Sequence, residues 1–134
     1  MILAALCLTG AGFLLLSLHH ISTQVRSACS EAASEFDGDC VEALATYVES
    51  EHHTYQERNT AIWALGEIGD LRALPTLDRL LGGDLIDSPC DTNRGICRYS
   101  VEKAIELCRG LNIVRYVWSW IRSERLEFLA VRSW

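Results

Sequence analysis

Residues 57–84 read ERNTAIWALGEIGDLRALPTLDRLLGGD, and two short amphipathic helices can be drawn through them. From Tyr55 to Gly69, the apolar residues Ala61, Ile62, Leu65 and Ile68 fall on one helical face. Gly69 and Asp70 end that helix, glycine being suited to a left-handed cap. From Leu71 to Leu81, Leu74, Leu77, Leu80 and Leu81 form the next face, and Gly82-Gly83-Asp84 stops it. Pro75 stands in the first turns of this second helix, where a missing N–H costs little.

The same patterning continues on both sides. Upstream, Val41, Leu44, Tyr47 and Val48 predict a helix over 40–50, broken by His52-His53-Thr54. Downstream, 84–95 carries Pro89 with Asp, Asn and Gly and reads as a loop. Val101, Ala104, Ile105 and Cys108 then predict a helix over 96–109. Val114, Val117, Trp118 and Ile121 predict another over 111–126. No stretch alternates with period two, so the fold class is all-α. The helices are also related to one another. Arg58, Ala61, Ala64 and Leu65 fall on Arg98, Val101, Ala104 and Ile105 at a spacing of 40. Leu71, Ala73, Leu74 and Thr76 fall on Val41, Ala43, Leu44 and Thr46 at a spacing of 30. A unit of that length holding two helices is the signature of an α-solenoid, in which neighbours bury each other's apolar faces.

On these residues the stretch resembles the HEAT-like repeat associated with phycobilin lyases. The resemblance is close over 57–84 and looser over 39–125. It rests on Arg58 opening one helix, on Ala61, on Ala64-Leu65-Gly66 with Gly69, on Asp70, and on Ala73-Leu74-Pro75-Thr76-Leu77. It implies a pairing of Arg58 with Asp70. The second copy departs from the pattern, with Glu106 and Arg109 in place of the two glycines and Arg115 in place of the proline. The expected architecture is a short right-handed α-solenoid of HEAT-like helix pairs, preceded by an N-terminal transmembrane helix.

That last expectation comes from Met1–Leu18, which carries no charged side chain. As a helix it would cover roughly 27 Å, near the thickness of a bilayer core. The region after it lacks a small-residue cleavage step, which favours an anchor over a removed signal. The expected organisation is an anchor or uncleaved signal over 1–21, a linker over 22–38, a repeat domain over 39–126 and a tail over 127–134. The protein is thus expected at a membrane, single-pass through Met1–Ile21. Arg26, the one cation near the segment, weakly favours a cytoplasmic domain. The cysteine content favours an extracytoplasmic one and is given more weight.

Six cysteines are present, Cys7 in the leader and Cys29, Cys40, Cys90, Cys97 and Cys108 beyond it. None forms a CxxC pair, which disfavours a zinc ribbon or a thioredoxin-type motif. Cys90 and Cys97 bracket DTNRGI and are read as a disulfide-closed loop, the alternative being two unpaired thiols. The net charge is −6, from 18 acidic and 12 basic side chains with no basic run, which argues against a nucleic-acid partner. His19-His20 and His52-His53 lack the further ligands that a zinc site needs, so no metal and no cofactor is expected. Nucleophile elbow, P-loop and zincin motifs are absent, and no catalytic residue is assigned.

The expected function is therefore an interaction scaffold, not an enzyme, binding a protein partner near the membrane. Tryptophan and arginine favour binding hot spots. The candidate partner-binding residues are Arg58, Trp63, Tyr99, Trp118 and Trp120. Two alternatives stand beside it. One is tetrapyrrole handling, which the resemblance to bilin lyases implies. The other is a thiol-redox accessory role for Cys90 and Cys97.

Overall fold

The computed structural model describes residues 2–87 and 89–110, with side chains from residue 10 onward, residue 11 aside. The elements are α1 (Ile2–Glu35), α2 (Cys40–Glu49), α3 (Tyr55–Ile68), a 3₁₀ turn (Leu71–Ala73), α4 (Leu74–Leu81) and α5 (Arg98–Arg109). The helix expected over 111–126 lies outside the described residues.

Local chemistry sets the helix boundaries. Asp39 caps α2 by accepting from the amides of Val41 and Glu42, while Glu42 reaches back to the Asp39 amide. Thr54 and Glu57 form the same reciprocal box at the start of α3. Each box satisfies donors that a helix start would otherwise leave open. Gly69 ends α3 at φ 65°, in the left-handed region. Asp70 then caps the 3₁₀ turn through the Arg72 amide, and Pro75 sits in the first turn of α4.

Helix α3 lies at the centre, packed against α1, α2 and α5, while α4 packs on α5. Leu44, Val48, Ile62, Leu65, Leu77 and Val101 are buried almost completely between these elements. The small residues of α3 have a measurable purpose. A Cβ placed on Gly66 would stand 2.9 Å from Ala104 Cα and 3.1 Å from its Cβ, so α3 and α5 meet nearly backbone to backbone. The 30-residue register is visible in the ion pairs as well. Arg79 pairs with Glu49, and Arg72 lies 3.7 Å from Glu42, each across that interval. Arg109, the last residue of α5, pairs with Asp78 and ties α5 to α4.

The expected transmembrane helix requires correction. Among the described residues no helix is long and apolar enough to cross a membrane. From His19 onward the helix is polar on its exposed sides and then packs against α2 and α3. Ala32 is fully buried, and Cys29 is disulfide-bonded to Cys40 at the start of α2. Residues 22–35, expected in a linker, are therefore the last turns of α1, packed on α2 and α3. The turn at 36–39, with Gly38 at φ 117°, brings the Cα atoms of Cys29 and Cys40 to 5.0 Å.

Candidate functional site

Where α1, α2 and α3 converge they leave an open cleft of about 550 Å³. Its floor is apolar, from Ala28, Leu44 and Ala61. Its walls are polar, from Glu31, Tyr47, Gln56, Glu57 and Thr60, and no lining residue is basic. The volume is within the range of small-ligand and side-chain pockets.

The wall on the α2 side is built on Tyr47. Its ring is 4% exposed, and its hydroxyl donates to Glu31 Oε1 at 3.0 Å. His53, from the turn between α2 and α3, stacks flat on it with centroids 3.6 Å apart. Phe36 meets both rings edge-on at 6.2 Å. Stacked and edge-on rings fix one another's positions, so the Tyr47 hydroxyl is held in place rather than free to rotate away. His53 Nε2 lies 3.0 Å from Glu35 Oε2, without the directionality of a hydrogen bond. Glu31 and Glu35 stand four residues apart on α1, so both carboxylates project from the same side of that helix.

The charges here are stable ones. Burial, and then the Glu31 carboxylate, push the Tyr47 phenol well above its ordinary value, so it stays protonated. The backbone N–H of Thr54 holds the Glu57 carboxyl below its ordinary value, so it stays ionised. The cleft can therefore offer two carboxylates and several hydroxyl or amide groups to a cation. It presents no activated nucleophile. Among the described residues no group of three His, Cys, Asp or Glu is arranged to hold a metal ion.

The residues singled out from sequence are spread over the fold. Arg58 is half-buried, donating from Nε to the Val48 carbonyl at 2.7 Å, and its guanidinium lies 5.8 Å from the centre of the Tyr55 ring. Arg58 thus satisfies a carbonyl that the end of α2 would leave open. Asp70, which the resemblance pairs with Arg58, caps the 3₁₀ turn and forms an ion pair with Arg72 at 3.1 Å. Trp63 is half-buried against the core and bonds the Glu67 carboxylate. Burial raises Glu67 above the ordinary carboxylate value, and the Trp63 bond works against that rise. Tyr99, on α5, is 72% exposed. Trp118 and Trp120 lie outside the described residues.

The loop read from its cysteines is closed by a Cys90–Cys97 disulfide. What sequence reading missed is its anchor, Asn59. This buried side chain on α3 donates to the carbonyls of Tyr55 at 2.7 Å and Gly95 at 2.9 Å, and accepts from the Cys97 amide at 3.0 Å. Ile86 adds an isolated parallel bridge to Cys97. The Cys29–Cys40 disulfide and the acidic cleft were also missed. Both depend on α1 folding back over α2, which no local pattern announces.

Residues 57–83 match the family model of the PBS lyase HEAT-like repeat. The matched unit begins on α3, crosses the 3₁₀ turn and ends on α4. The chain, helical among its described residues, thus contains a HEAT-like repeat. Comparison with curated proteins and with solved structures gives no match.

Proposed function

We propose that this chain is a disulfide-stapled HEAT-like interaction module that receives a basic segment of a protein partner in the cleft between α1, α2 and α3. The observation that carries the reading is the lining of that cleft. Glu31 and Glu57 face a space of about 550 Å³ with an apolar floor and no basic side chain. An arginine or lysine side chain suits it, its alkyl stem against Leu44 and Ala61 and its charge beside the carboxylates. The repeat match supports a binding role over a catalytic one, helical repeats being stacked surfaces for recognition. Tyr99 leaves a large aromatic surface on α5 and is proposed as a separate partner contact. The two disulfides support maturation in an oxidising, extracytoplasmic compartment.

The test is fluorescence anisotropy with a labelled arginine-rich peptide and an uncharged peptide of equal length. The comparison protein is the Glu31→Gln, Glu57→Gln double variant. Glutamine keeps the acceptor for Tyr47 and the capping box of α3, so charge is removed while the fold is held. Salt-sensitive binding of the basic peptide, weakened about tenfold or more in the variant, is expected. Equal affinity for both peptides, or for both proteins, would refute the proposed cleft occupant.

A further inference from the structure

The two disulfides stand at two differently capped helix starts. Cys40 is the first residue of α2, directly after Asp39, whose carboxylate already caps the helix by accepting from Val41 and Glu42. Glu42 follows within the same turn, and Arg72 is drawn to both acids. A thiolate on Cys40 would thus form beside carboxylates, at a helix start whose donors are occupied. Cys97 is the N-cap of α5, which has no side-chain cap. Arg98 follows it and is paired with Asp87 at 2.7 Å, while no acidic residue stands in the first turn of α5. The Arg98 amide is taken by the Ile86 carbonyl, and a thiolate on Cys97 would meet the later amides of the first turn and the positive end of the helix dipole.

Access differs as well. Cys97 is fully buried, whereas Cys90 is exposed on the loop. Both Cys29 and Cys40 are half-buried between α1 and α2. In thiol–disulfide exchange the attacked sulfur must be reachable, and the reaction is faster when the departing thiol has a lowered pKa. Cys90 meets the first condition, and Cys97 would leave at the start of α5.

We infer that Cys90–Cys97 is a site of thiol–disulfide exchange with a dithiol, attacked at Cys90, while Cys29–Cys40 is a permanent staple. The dithiol's thiolate bonds to Cys90 Sγ, the Cys90–Cys97 bond breaks, and its electron pair leaves on Cys97 Sγ. The second thiol of the dithiol then attacks its own mixed-disulfide sulfur and releases Cys90. The dithiol ends as a disulfide, both cysteines are reduced, and the two protons pass from the dithiol to solvent or to the new thiolates. Residues 90–95 lose their covalent closure. Cys97 itself stays in place, because its amide is held by Asn59 and its neighbours by Ile86. The released Cys97 sulfur gains the role of side-chain cap on α5. Exchange therefore loosens the loop without dismantling the helices. This inference is independent of the cleft and its proposed occupant.

The experiment treats the oxidised full chain with increasing dithiothreitol, quenches it in acid, alkylates it and maps the labelled cysteines by peptide mass. A parallel sample receives reduced glutathione, so that the mixed disulfide is trapped and located. Cys90 and Cys97 should be labelled at about one tenth of the dithiothreitol that exposes Cys29 and Cys40. Helical circular dichroism should be unchanged at that point, and glutathione should be found on Cys90. Opening of Cys29–Cys40 first or together with the loop would overturn the inference. So would glutathione on Cys97, or loss of helicity at the first reduction step.

Discussion

Replacing Asn59 by alanine should cost far more than a polar substitution on a helix usually does. The side chain is 6% exposed and makes three hydrogen bonds, two as donor and one as acceptor. Two of the partners, the Gly95 carbonyl and the Cys97 amide, belong to a buried part of the loop and find no substitute in an alanine methyl. At about 1 kcal/mol for each bond, with the further penalty for buried groups left unpaired, the loss is about 3 kcal/mol. For a helical domain near 100 residues, with a urea dependence of about 1–1.5 kcal/mol per molar, the midpoint should fall by about 2–3 M. Urea unfolding followed by circular dichroism at 222 nm, with disulfides intact, reads this directly. Asn59→Asp should be no better than alanine, because it keeps an acceptor for Cys97 but turns a charge toward two carbonyls. A loss below about 0.5 kcal/mol in Asn59→Ala would refute the idea that this residue clamps the loop to α3.

Five further outcomes follow from the geometry. Gly66→Ala should destabilise by about 1–3 kcal/mol in the same assay, because its Cβ would stand 2.9 Å from the Ala104 backbone. Gly82→Ala, where the nearest contact is 3.5 Å, should be neutral or mildly stabilising. Gly69→Ala should cost about 1 kcal/mol in thermal or urea melts, since φ 65° strains any residue with a Cβ. Arg79→Ala should change stability by less than about 1 kcal/mol, and the change should shrink at high salt, as befits its exposed pairing with Glu49. Stability against pH should fall on the acid side. Arg72 holds the Asp39 carboxyl below its ordinary 3.8, and the Thr54 amide holds Glu57 below 4.5. In both cases the unfolded chain binds the proton more tightly. Their contribution is therefore present above about pH 4.5 and fades as pH falls through the lower folded-state values. Urea midpoints measured from pH 7 to pH 3 should show a shallower acid loss in the Asp39→Asn, Glu57→Gln variant.

The sequence by itself determined the helices of the described core and the one HEAT-like unit among them. Leucine and alanine spacing, the glycine stop at Gly69 and the proline at Pro75 are local or periodic signals, and they were realised in α2, α3, α4 and α5. The capping boxes of Asp39 with Glu42 and Thr54 with Glu57 lie within one turn, so they too could have been read from sequence. The Cys90–Cys97 loop was legible because its cysteines lie only seven residues apart.

Tertiary structure alone decided the rest. The apolar start of α1 suggested a membrane segment because hydrophobicity identifies a need for burial without naming what supplies it. Only the packing of Ala32 and the Cys29–Cys40 bond show that the later turns of α1 pack with α2 and α3. Asn59 looked like one more polar residue on a helix until Gly95 and Cys97 were placed against it from 36 and 38 residues away. The cleft is likewise a product of three elements meeting. Glu31, Tyr47 and Glu57 come from three separate helices, and side chains that distant in sequence become neighbours only when the backbone brings them there. Periodicity is a property of one element at a time, whereas a site depends on where several elements end up in space.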